Sequence, residues 1–303
     1  MKSRRDVLRA ATAVAGAAAI GALGTGRATA VGTRAATFTD ASGLATVSVF
    51  AHTGSPARQY WIDKTTTVGD GDMIAIGGGA TATDANPGAL LTASYPTGDL
   101  WGWTVSSKDH LQTHWHQLTS YVIGLKIAGM SRDQLARAVL VTPADSGAEP
   151  WPMADARIWS NDHVLVGGGF RVDWHGAGNL ATASFPSSDS TWQARSKDHG
   201  QSDPSSIRSY AIALPRYLPV GRVDVARIPV DGGPDAHPQA TATLPPGYAL
   251  TGGGGEVHWS GAGNLLWRLE PSRWAPSFTA ASKDHLWSSP ATITAWALGI
   301  RIV

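Results

Sequence analysis

One pattern of residues occurs three times along the chain, and no other feature constrains the fold as strongly. Each copy begins with consecutive glycines, at residues 77, 167 and 252, and continues to a Ser-Lys-Asp-His segment. A proline follows the first glycine by 19 positions in every copy, and an aromatic residue follows the histidine by 11. Self-similarity at a fixed period is typical of repeat architectures, so we expect one module to form three times.

Local patterning predicts that the module consists of β-strands. Residues 46–50 alternate polar and apolar side chains, as a half-buried strand does. Glutamate, a common helix former at protein surfaces, occurs only three times in 303 residues. Each copy contains roughly six short strand-like segments separated by turn residues. We predict only one helical turn, over 131–135, with Ser131 as its N-cap.

These patterns predict an all-β fold made of three tandem repeats of about 85 residues. Each repeat is expected to be a roughly six-stranded antiparallel sandwich, and the three to pack with pseudo-three-fold symmetry. The predicted segments are a signal peptide (1–30), an N-terminal arm (31–44), repeat 1 (45–128), repeat 2 (129–218) and repeat 3 (219–303). One closed body and three separate modules both remain open.

The first thirty residues have the pattern of an export signal. Arg4 and Arg5 precede an apolar run rich in Ala and Gly, and small residues around Ala30 provide a cleavage site. The pattern resembles a twin-arginine signal peptide, with Val7 where phenylalanine is usual. An ordinary secretory signal is the alternative. Both interpretations predict a secreted, extracellular protein whose mature chain begins near Val31.

The predicted mature chain is weakly acidic. Residues 1–30 carry five of the 24 basic side chains and one of the 23 acidic ones, which leaves a net charge of −3 for the remainder. Nucleic acids attract basic surfaces, so this balance argues against them as partners. No later stretch approaches the ~20 apolar residues of a membrane helix. We predict no nucleic-acid partner, no membrane insertion, no cofactor and a monomeric pseudo-trimer.

The end of repeat 3 resembles a known family. Residues 293–300 (ITAWALGI) follow an aromatic strand containing Phe278 and a polar loop. This ending resembles the closing strand of H-type lectin domains, which are six-stranded β-sandwiches that associate as trimers and bind sugars of the N-acetylgalactosamine type. The resemblance implies a trimeric, lectin-like arrangement. It assigns no binding residue, because the glycine triplets and Ser-Lys-Asp-His segments are not part of that family's pattern.

The hairpins that follow the glycines differ between the copies. Repeats 2 and 3 carry Trp174 and Trp259, and strand alternation places Asp173 and His258 on the opposite face, whereas repeat 1 has Asp84 in place of the tryptophan. An aromatic ring packs on the C–H face of a pyranose, and fixed polar groups bind its hydroxyls. These patterns predict a carbohydrate-binding, lectin-like protein with sites on repeats 2 and 3. The predicted sugar-binding residues are Trp174, Trp259, Asn179, Asn264, Asp173 and His258.

The Ser-Lys-Asp-His segments permit two interpretations. Aspartate closes turns on its own backbone and histidine donates to carbonyl groups, so the segment is suited to stabilise a turn. Its presence in all three copies also suits a repeated ligand site, and it suits a catalytic centre less well. The candidate ligand-binding residues are Lys108, Asp109, His110, Lys197, Asp198, His199, Lys283, Asp284 and His285.

The alternative function is that of an extracellular carbohydrate-active enzyme, a glycoside hydrolase or lyase. Asp173 and Glu256 would then be its acid and base or nucleophile, with His258 nearby. A third interpretation is a cell-envelope structural module with no small ligand. His114 and His116 share a strand face, as metal ligands do, but a His-rich surface loop is the simpler interpretation, and we predict no metal.

Overall fold

The computed structural model describes residues 29–303, so the predicted export signal lies almost entirely outside the described residues. Within this range the chain is nearly all β, as predicted, with 21 strands and one helix. No helix of this range is long and apolar enough to cross a membrane.

The strands follow the repeat pattern of the sequence. Those up to the end of repeat 1 are β1 (Thr29–Val31), β2 (Thr33–Thr39), β3 (Ala45–Thr53), β4 (Tyr60–Thr67), β5 (Ile74–Thr81), β6 (Leu90–Pro96), β7 (Gly102–Lys108) and β8 (Thr119–Ile127). Repeat 2 contains helix α1 (Arg132–Ala138), then β9 (Leu140–Asp145), β10 (Met153–Arg157), β11 (His163–Asp173), β12 (Leu180–Pro186), β13 (Thr191–Lys197), β14 (Ser206–Pro215) and β15 (Tyr217–Leu218). Repeat 3 contains β16 (Gly221–Asp235), β17 (Gln239–Thr243), β18 (Ala249–His258), β19 (Asn264–Pro271), β20 (Ser277–Asp284) and β21 (Ala291–Ile302).

These strands form three seven-stranded sheets, and each sheet combines strands from two repeats. The orders are β1-β4-β7-β6-β11-β14-β9, β10-β13-β12-β18-β21-β16-β15 and β17-β20-β19-β5-β8-β3-β2. The sheets cross the repeat boundaries through the antiparallel pairs β6–β11, β12–β18 and β19–β5, which we call junctions 1/2, 2/3 and 3/1. Each repeat is therefore a sandwich of two half-sheets that its neighbours complete, and the junctions link the repeats in a closed cycle.

Glycine is required where strands of neighbouring repeats meet. A Cβ atom on Gly169 would lie 2.3 Å from the carbonyl oxygen of Ser94, on strand β6 of repeat 1. A Cβ atom on Gly168 would lie 2.2 Å from the buried indole of Trp192. A residue without a side chain permits this close approach of backbones.

Aromatic side chains fill the space between the half-sheets. Trp103, Trp192 and Phe278 occupy matching positions of the three repeats and are fully buried. The indole N–H groups of the two tryptophans donate to the hydroxyl oxygens of Ser94 at 2.8 Å and Ser184 at 2.9 Å. Each buried indole thus has the hydrogen-bond partner that burial requires.

The predicted helical turn is confirmed, and it is longer than expected. The Ser131 hydroxyl accepts a bond from the amide of Gln134 at 3.2 Å, and the Gln134 side chain accepts one from the amide of Ser131 at 2.8 Å. This reciprocal pair is a capping box, which satisfies two amides at the start of the helix. The segment expected as an N-terminal arm contains strand β2, because the edge of β3 provides its backbone with hydrogen-bond partners.

Candidate functional site at the repeat junctions

The lysines of the Ser-Lys-Asp-His segments are buried and reach into the next repeat. The ammonium group of Lys283 donates to the carbonyl oxygens of Thr83 at 3.0 Å, Ala85 at 3.1 Å and Pro87 at 3.0 Å in repeat 1. These carbonyls belong to the hairpin between β5 and β6. A lysine of repeat 3 therefore holds a loop of repeat 1 in place, across junction 3/1.

The other two lysines make matching contacts. Lys108 of repeat 1 donates to Gly176 at 3.3 Å and to Ala177 in repeat 2, and Lys197 of repeat 2 donates to Ala262 in repeat 3. Burial lowers the pKa of both groups to about 8. Backbone carbonyls favour the charged form, because they accept hydrogen bonds from an ammonium group.

An aromatic face covers the lysine at two junctions. The ammonium nitrogen of Lys108 lies 4.0 Å from the ring centre of Trp174, and that of Lys197 lies 4.0 Å from the ring centre of Trp259. At junction 3/1 burial lowers the pKa of Lys283 to about 8, and the charge of Asp84 acts in the opposite direction. The replacement of tryptophan by Asp84 in repeat 1 therefore exchanges a cation–π contact for a carboxylate.

Three buried histidines form a closed ring of hydrogen bonds. The Nε2 atom of His110 lies 2.6 Å from the carbonyl oxygen of His199. The Nε2 atom of His199 lies 2.7 Å from the carbonyl oxygen of His285, and the Nε2 atom of His285 lies 2.8 Å from the carbonyl oxygen of His110. A hydrogen on Nε2 of each ring forms all three bonds. Nδ1 of each ring faces a second carbonyl oxygen, at 3.2 Å from Ala177 for His110, 3.0 Å from Ala262 for His199 and 2.8 Å from Pro87 for His285, and only a second ring hydrogen would satisfy that contact. Each repeat thereby donates to the next, and the ring connects all three.

Burial lowers the pKa of these histidines. The pKa of His110 falls to about 4, against the opposing effect of the His199 carbonyl. The pKa values of His199 and His285 are also lowered, with burial as the largest cause. Burial therefore favours the neutral form of each ring, and none of the rings is accessible to a ligand.

The aspartates of the same segments hold a loop. A carboxylate oxygen of Asp109 accepts from the amide of His114 at 2.9 Å, and one of Asp198 accepts from the amide of Asp203 at 3.0 Å. Asp284 faces the amide of Ser289 at 3.4 Å, near the limit for a hydrogen bond. These contacts give the Ser-Lys-Asp-His segments a structural role.

Asn179 and Asn264, which were expected to face sugar, are instead fully buried. Asn179 accepts a bond from the hydroxyl of Ser196 at 2.8 Å and donates to Asp198. Asn264 donates to the carbonyl oxygen of Ala236 at 3.0 Å. Both side chains lie where a strand begins beside a Ser-Lys-Asp-His segment, so their amide nitrogens donate to the protein and not to solvent. The buried Oδ1 atom of Asn264 has no partner among the described residues.

Two junctions present a pair of aromatic rings, one from each repeat. Tyr60 lies 6.2 Å from Trp174 at junction 1/2, and Trp151 lies 6.4 Å from Trp259 at junction 2/3, measured between ring centres. Tyr60 is 46% exposed and Trp151 is 67% exposed, whereas Trp174 and Trp259 are half-buried. At junction 3/1 His237 stands at the position that corresponds to Tyr60 and Trp151, and its Nε2 atom lies 3.5 Å from a carboxylate oxygen of Asp284.

Polar side chains adjoin the aromatic pair of junction 1/2. Trp174, Asp173, Arg171 and Asp63 line one cavity of about 160 Å³. Arg171 and Asp173 also line a neighbouring cavity of about 280 Å³, together with Arg208. A groove with an aromatic wall, carboxylates and guanidinium groups thus crosses the boundary between repeats 1 and 2.

The corresponding surface of junction 2/3 carries different polar groups. Arg195 on β13 and Glu256 on β18 form an ion pair, with 2.8 Å between Nη1 and Oε1. The exposed His258 contacts the hydroxyl of Thr294 through Nε2 at 2.8 Å, and that hydroxyl donates to Asp231 at 2.6 Å. Because the hydroxyl gives its hydrogen to Asp231, Nε2 of His258 is the donor in their contact, and the ring is held in one orientation.

The carboxylates expected to act as an enzymatic pair, Asp173 and Glu256, lie on strands of different sheets. Asp173 lies on β11 of the first sheet, whereas Glu256 lies on β18 of the second. Glu256 is moreover engaged by Arg195. Strand alternation predicts the face on which a residue lies, but it does not reveal which sheet a strand joins.

One of the two histidines considered as metal ligands is engaged by the protein. His116 is buried, with Nε2 at 2.7 Å from the Ser107 hydroxyl and Nδ1 at 3.1 Å from the carbonyl oxygen of His114. Residues 29–303 contain no group of three or more His, Cys, Asp or Glu residues placed to hold a metal ion.

Sequence reasoning missed the partners of the two tryptophans. Tyr60 lies opposite Lys108 in the pairing of β4 with β7. Met153 lies opposite Arg195 in the pairing of β10 with β13, and Trp151, two residues before Met153, therefore lies level with Lys197. Both aromatics therefore stand at the position next to the buried lysine of their own repeat. That relation requires the strand register, which the sequence pattern alone does not supply.

No protein-family model matches the chain, and no curated protein matches it.

Proposed function

We propose that the protein binds carbohydrate at junctions 1/2 and 2/3. The observation that carries this proposal is the aromatic pair at each junction, in which an exposed ring of one repeat lies beside a half-buried tryptophan of the next. Asp173 and His258 directly precede Trp174 and Trp259, and both are exposed. Sugar sites combine aromatic surface with a few fixed polar groups in this way.

The two sites offer different polar groups to a sugar. At junction 1/2, the carboxylate of Asp173 accepts hydrogen bonds from hydroxyl groups. At junction 2/3, the imidazole of His258 leaves Nδ1 as an acceptor, because Nε2 contacts Thr294. Each site consists of residues from two repeats, so binding requires the assembled junction.

A purely structural role for the tryptophans makes a different prediction. Trp174 and Trp259 shield buried lysines, and their removal would disturb the junction as well as any ligand. Among the cation–π contacts of the described residues, none involves Tyr60 or Trp151. These two rings therefore test sugar binding with little effect on the lysine contacts.

The experiment is a glycan array followed by titration of the best ligand. We expect Tyr60→Ala and Trp151→Ala each to remove one site, and the double variant to lose at least ten-fold in affinity, equivalent to ~1.4 kcal/mol. Trp274→Ala is the control, because Trp274 is 86% exposed and lies in the turn between β19 and β20. Failure of the wild-type protein to bind any glycan, or equal affinity of the double variant, contradicts the proposal.

A glycoside hydrolase is the second candidate. Asp63 and Asp173 line the same cavity beside Trp174, and glycosidases use two carboxylates that flank the scissile bond. Release of reducing ends from a polysaccharide, abolished by Asp173→Asn, would favour the enzyme. Binding without turnover would favour the lectin-like function.

A further inference from the structure

A separate cavity lies at the opposite end of junction 2/3 from the aromatic pair. Its volume is about 260 Å³, and its walls are the start of β11, the turn between β12 and β13, and the first half of β16. Three guanidinium groups, those of Arg216, Arg222 and Arg227, line it together with the carboxylates of Asp189 and Asp224. These groups leave the cavity with a formal charge of +1.

The two carboxylates are already engaged. Asp189 pairs with Arg227 at 2.6 Å. Asp224 accepts from Arg301 at 2.8 Å and from the hydroxyl of Tyr248 at 2.6 Å. Tyr248 and Arg301 both donate to Oδ2 of Asp224, and Oδ1 is the oxygen that lies nearest to Arg222.

The guanidinium groups retain unused donors. Arg222 approaches Asp224 only to 3.8 Å, which is too long for a hydrogen bond. The only side-chain hydrogen bond of Arg216 within residues 29–303 is a long one, 3.4 Å from Nε to the carbonyl oxygen of Asn161. The buried Nη1 atom of Arg227 has no partner in this part of the chain. Donors of this kind are normally satisfied in folded proteins, by protein, water or ligand.

The remaining surface of the cavity is apolar. Leu165 and Val223 are buried at its wall, and Val164 and Val225 are half-buried. At junction 3/1 the strand that corresponds to β16 is β3, and Val49 stands there in the place of Arg227. The corresponding surface at that junction therefore lacks this guanidinium group. An anion with an apolar body therefore fits this cavity better than a bare inorganic ion.

We propose that the cavity at junction 2/3 binds a small organic monocarboxylate. The fork of donors on an arginine matches the two oxygens of a carboxylate, and the valine and leucine side chains contact the apolar body. Asp189 and Asp224 repel a second negative charge, which disfavours phosphate and sulfate. This site is independent of the proposed sugar sites, because it shares no residue with them.

The test compares benzoate with benzamide, which has nearly the same shape and no charge. Calorimetric titration of the wild-type protein should give a Kd for benzoate of about 1 mM or tighter and no measurable binding of benzamide. Arg216→Gln and Arg222→Gln should each weaken benzoate binding at least ten-fold. Arg273→Gln is the matched control, because Arg273 is exposed and lies over Trp274, outside the cavity.

Thermal unfolding of each variant without ligand reports whether it is folded, and phosphate and sulfate are titrated in parallel at constant ionic strength. The proposal is overturned by no benzoate binding by the wild-type protein, by equal binding of benzamide, by tighter binding of phosphate than of benzoate, or by unchanged benzoate affinity in Arg216→Gln and Arg222→Gln. Loss of benzoate binding in Arg273→Gln to the same extent would overturn it as well.

Discussion

A single buried lysine at each junction links two repeats. Lys283 is the best satisfied of the three, with bonds to three carbonyl oxygens of the β5–β6 hairpin. Those carbonyls lie about 200 residues away in the sequence. The ammonium group therefore supplies the hydrogen bonds that water would otherwise donate to a loop of a different repeat. The residue is therefore central to the closure of the cycle.

We predict that Lys283→Met destabilises the protein by about 3 kcal/mol, because three carbonyls lose a charged donor. Urea unfolding measures this free energy. Lys126→Met is the control, since the ammonium of Lys126 lies at the surface beside Asp72, and its loss should leave the unfolding midpoint unchanged. Equal stability of Lys283→Met and the wild-type protein would show that the carbonyls find other partners.

The elements most sensitive to substitution are the strands that contain the consecutive glycines in their middle. Strands β5, β11 and β18 pair with their own repeat on one edge and with a neighbour on the other. Gly168 lies against an indole and Gly169 against a neighbouring backbone, so there is no room for a side chain at either position.

We predict that Gly168→Ala costs about 3 kcal/mol or more, because the added Cβ would overlap both the Trp192 ring and the carbonyl oxygen of Tyr210. The measurement is the thermal midpoint together with the soluble yield. In Gly98→Ala, by contrast, the new Cβ meets nothing within 4 Å, and this control should behave as wild type. A normal midpoint for Gly168→Ala would mean that the strand shifts without loss of packing.

On the scale of the whole molecule, the histidine ring makes stability depend on pH. The folded pKa of His110 is about 4, below its unfolded value of 6.5. The unfolded chain therefore binds protons first as the pH falls, and stability is lost between pH 6.5 and 4. Above pH 6.5 the full contribution is present.

We predict that the wild-type free energy of unfolding decreases between pH 6.5 and 4, by about 2–3 kcal/mol from His110 alone. His110→Gln keeps a hydrogen-bond donor that does not titrate. This variant should be less stable than the wild-type protein at pH 7, but its free energy of unfolding should change less between pH 6.5 and 4. His175→Gln is the control, because His175 is exposed and should retain the wild-type slope. Parallel pH profiles for all three proteins would contradict the assignment.

Much of the fold could be predicted from local patterns. Alternation in 46–50, the scarcity of glutamate and the triplicated glycines predicted antiparallel β-structure, and Ser131 marked the start of the one helix found in residues 29–303. Trp103 and Trp192 recur at one position and are core residues. These features depend on neighbours a few residues apart, which the sequence displays directly.

The candidate site was only partly predictable. The sequence indicated Trp174 and Trp259, but not Tyr60 and Trp151, which approach them from the preceding repeat. It also placed Asn179 at the surface, because strand alternation does not show when a corner of the fold covers a polar residue.

By itself, the sequence displayed three copies of one pattern and predicted the β character of the chain and its helix cap. Tertiary structure alone decided that each sheet is shared by two repeats and that the lysine of one repeat binds the hairpin of the next. The physical reason is distance along the chain: the bonds of the histidine ring join residues 86 to 175 positions apart. Such pairs are selected by packing and hydrogen-bond satisfaction in the assembled molecule, which local propensity does not encode.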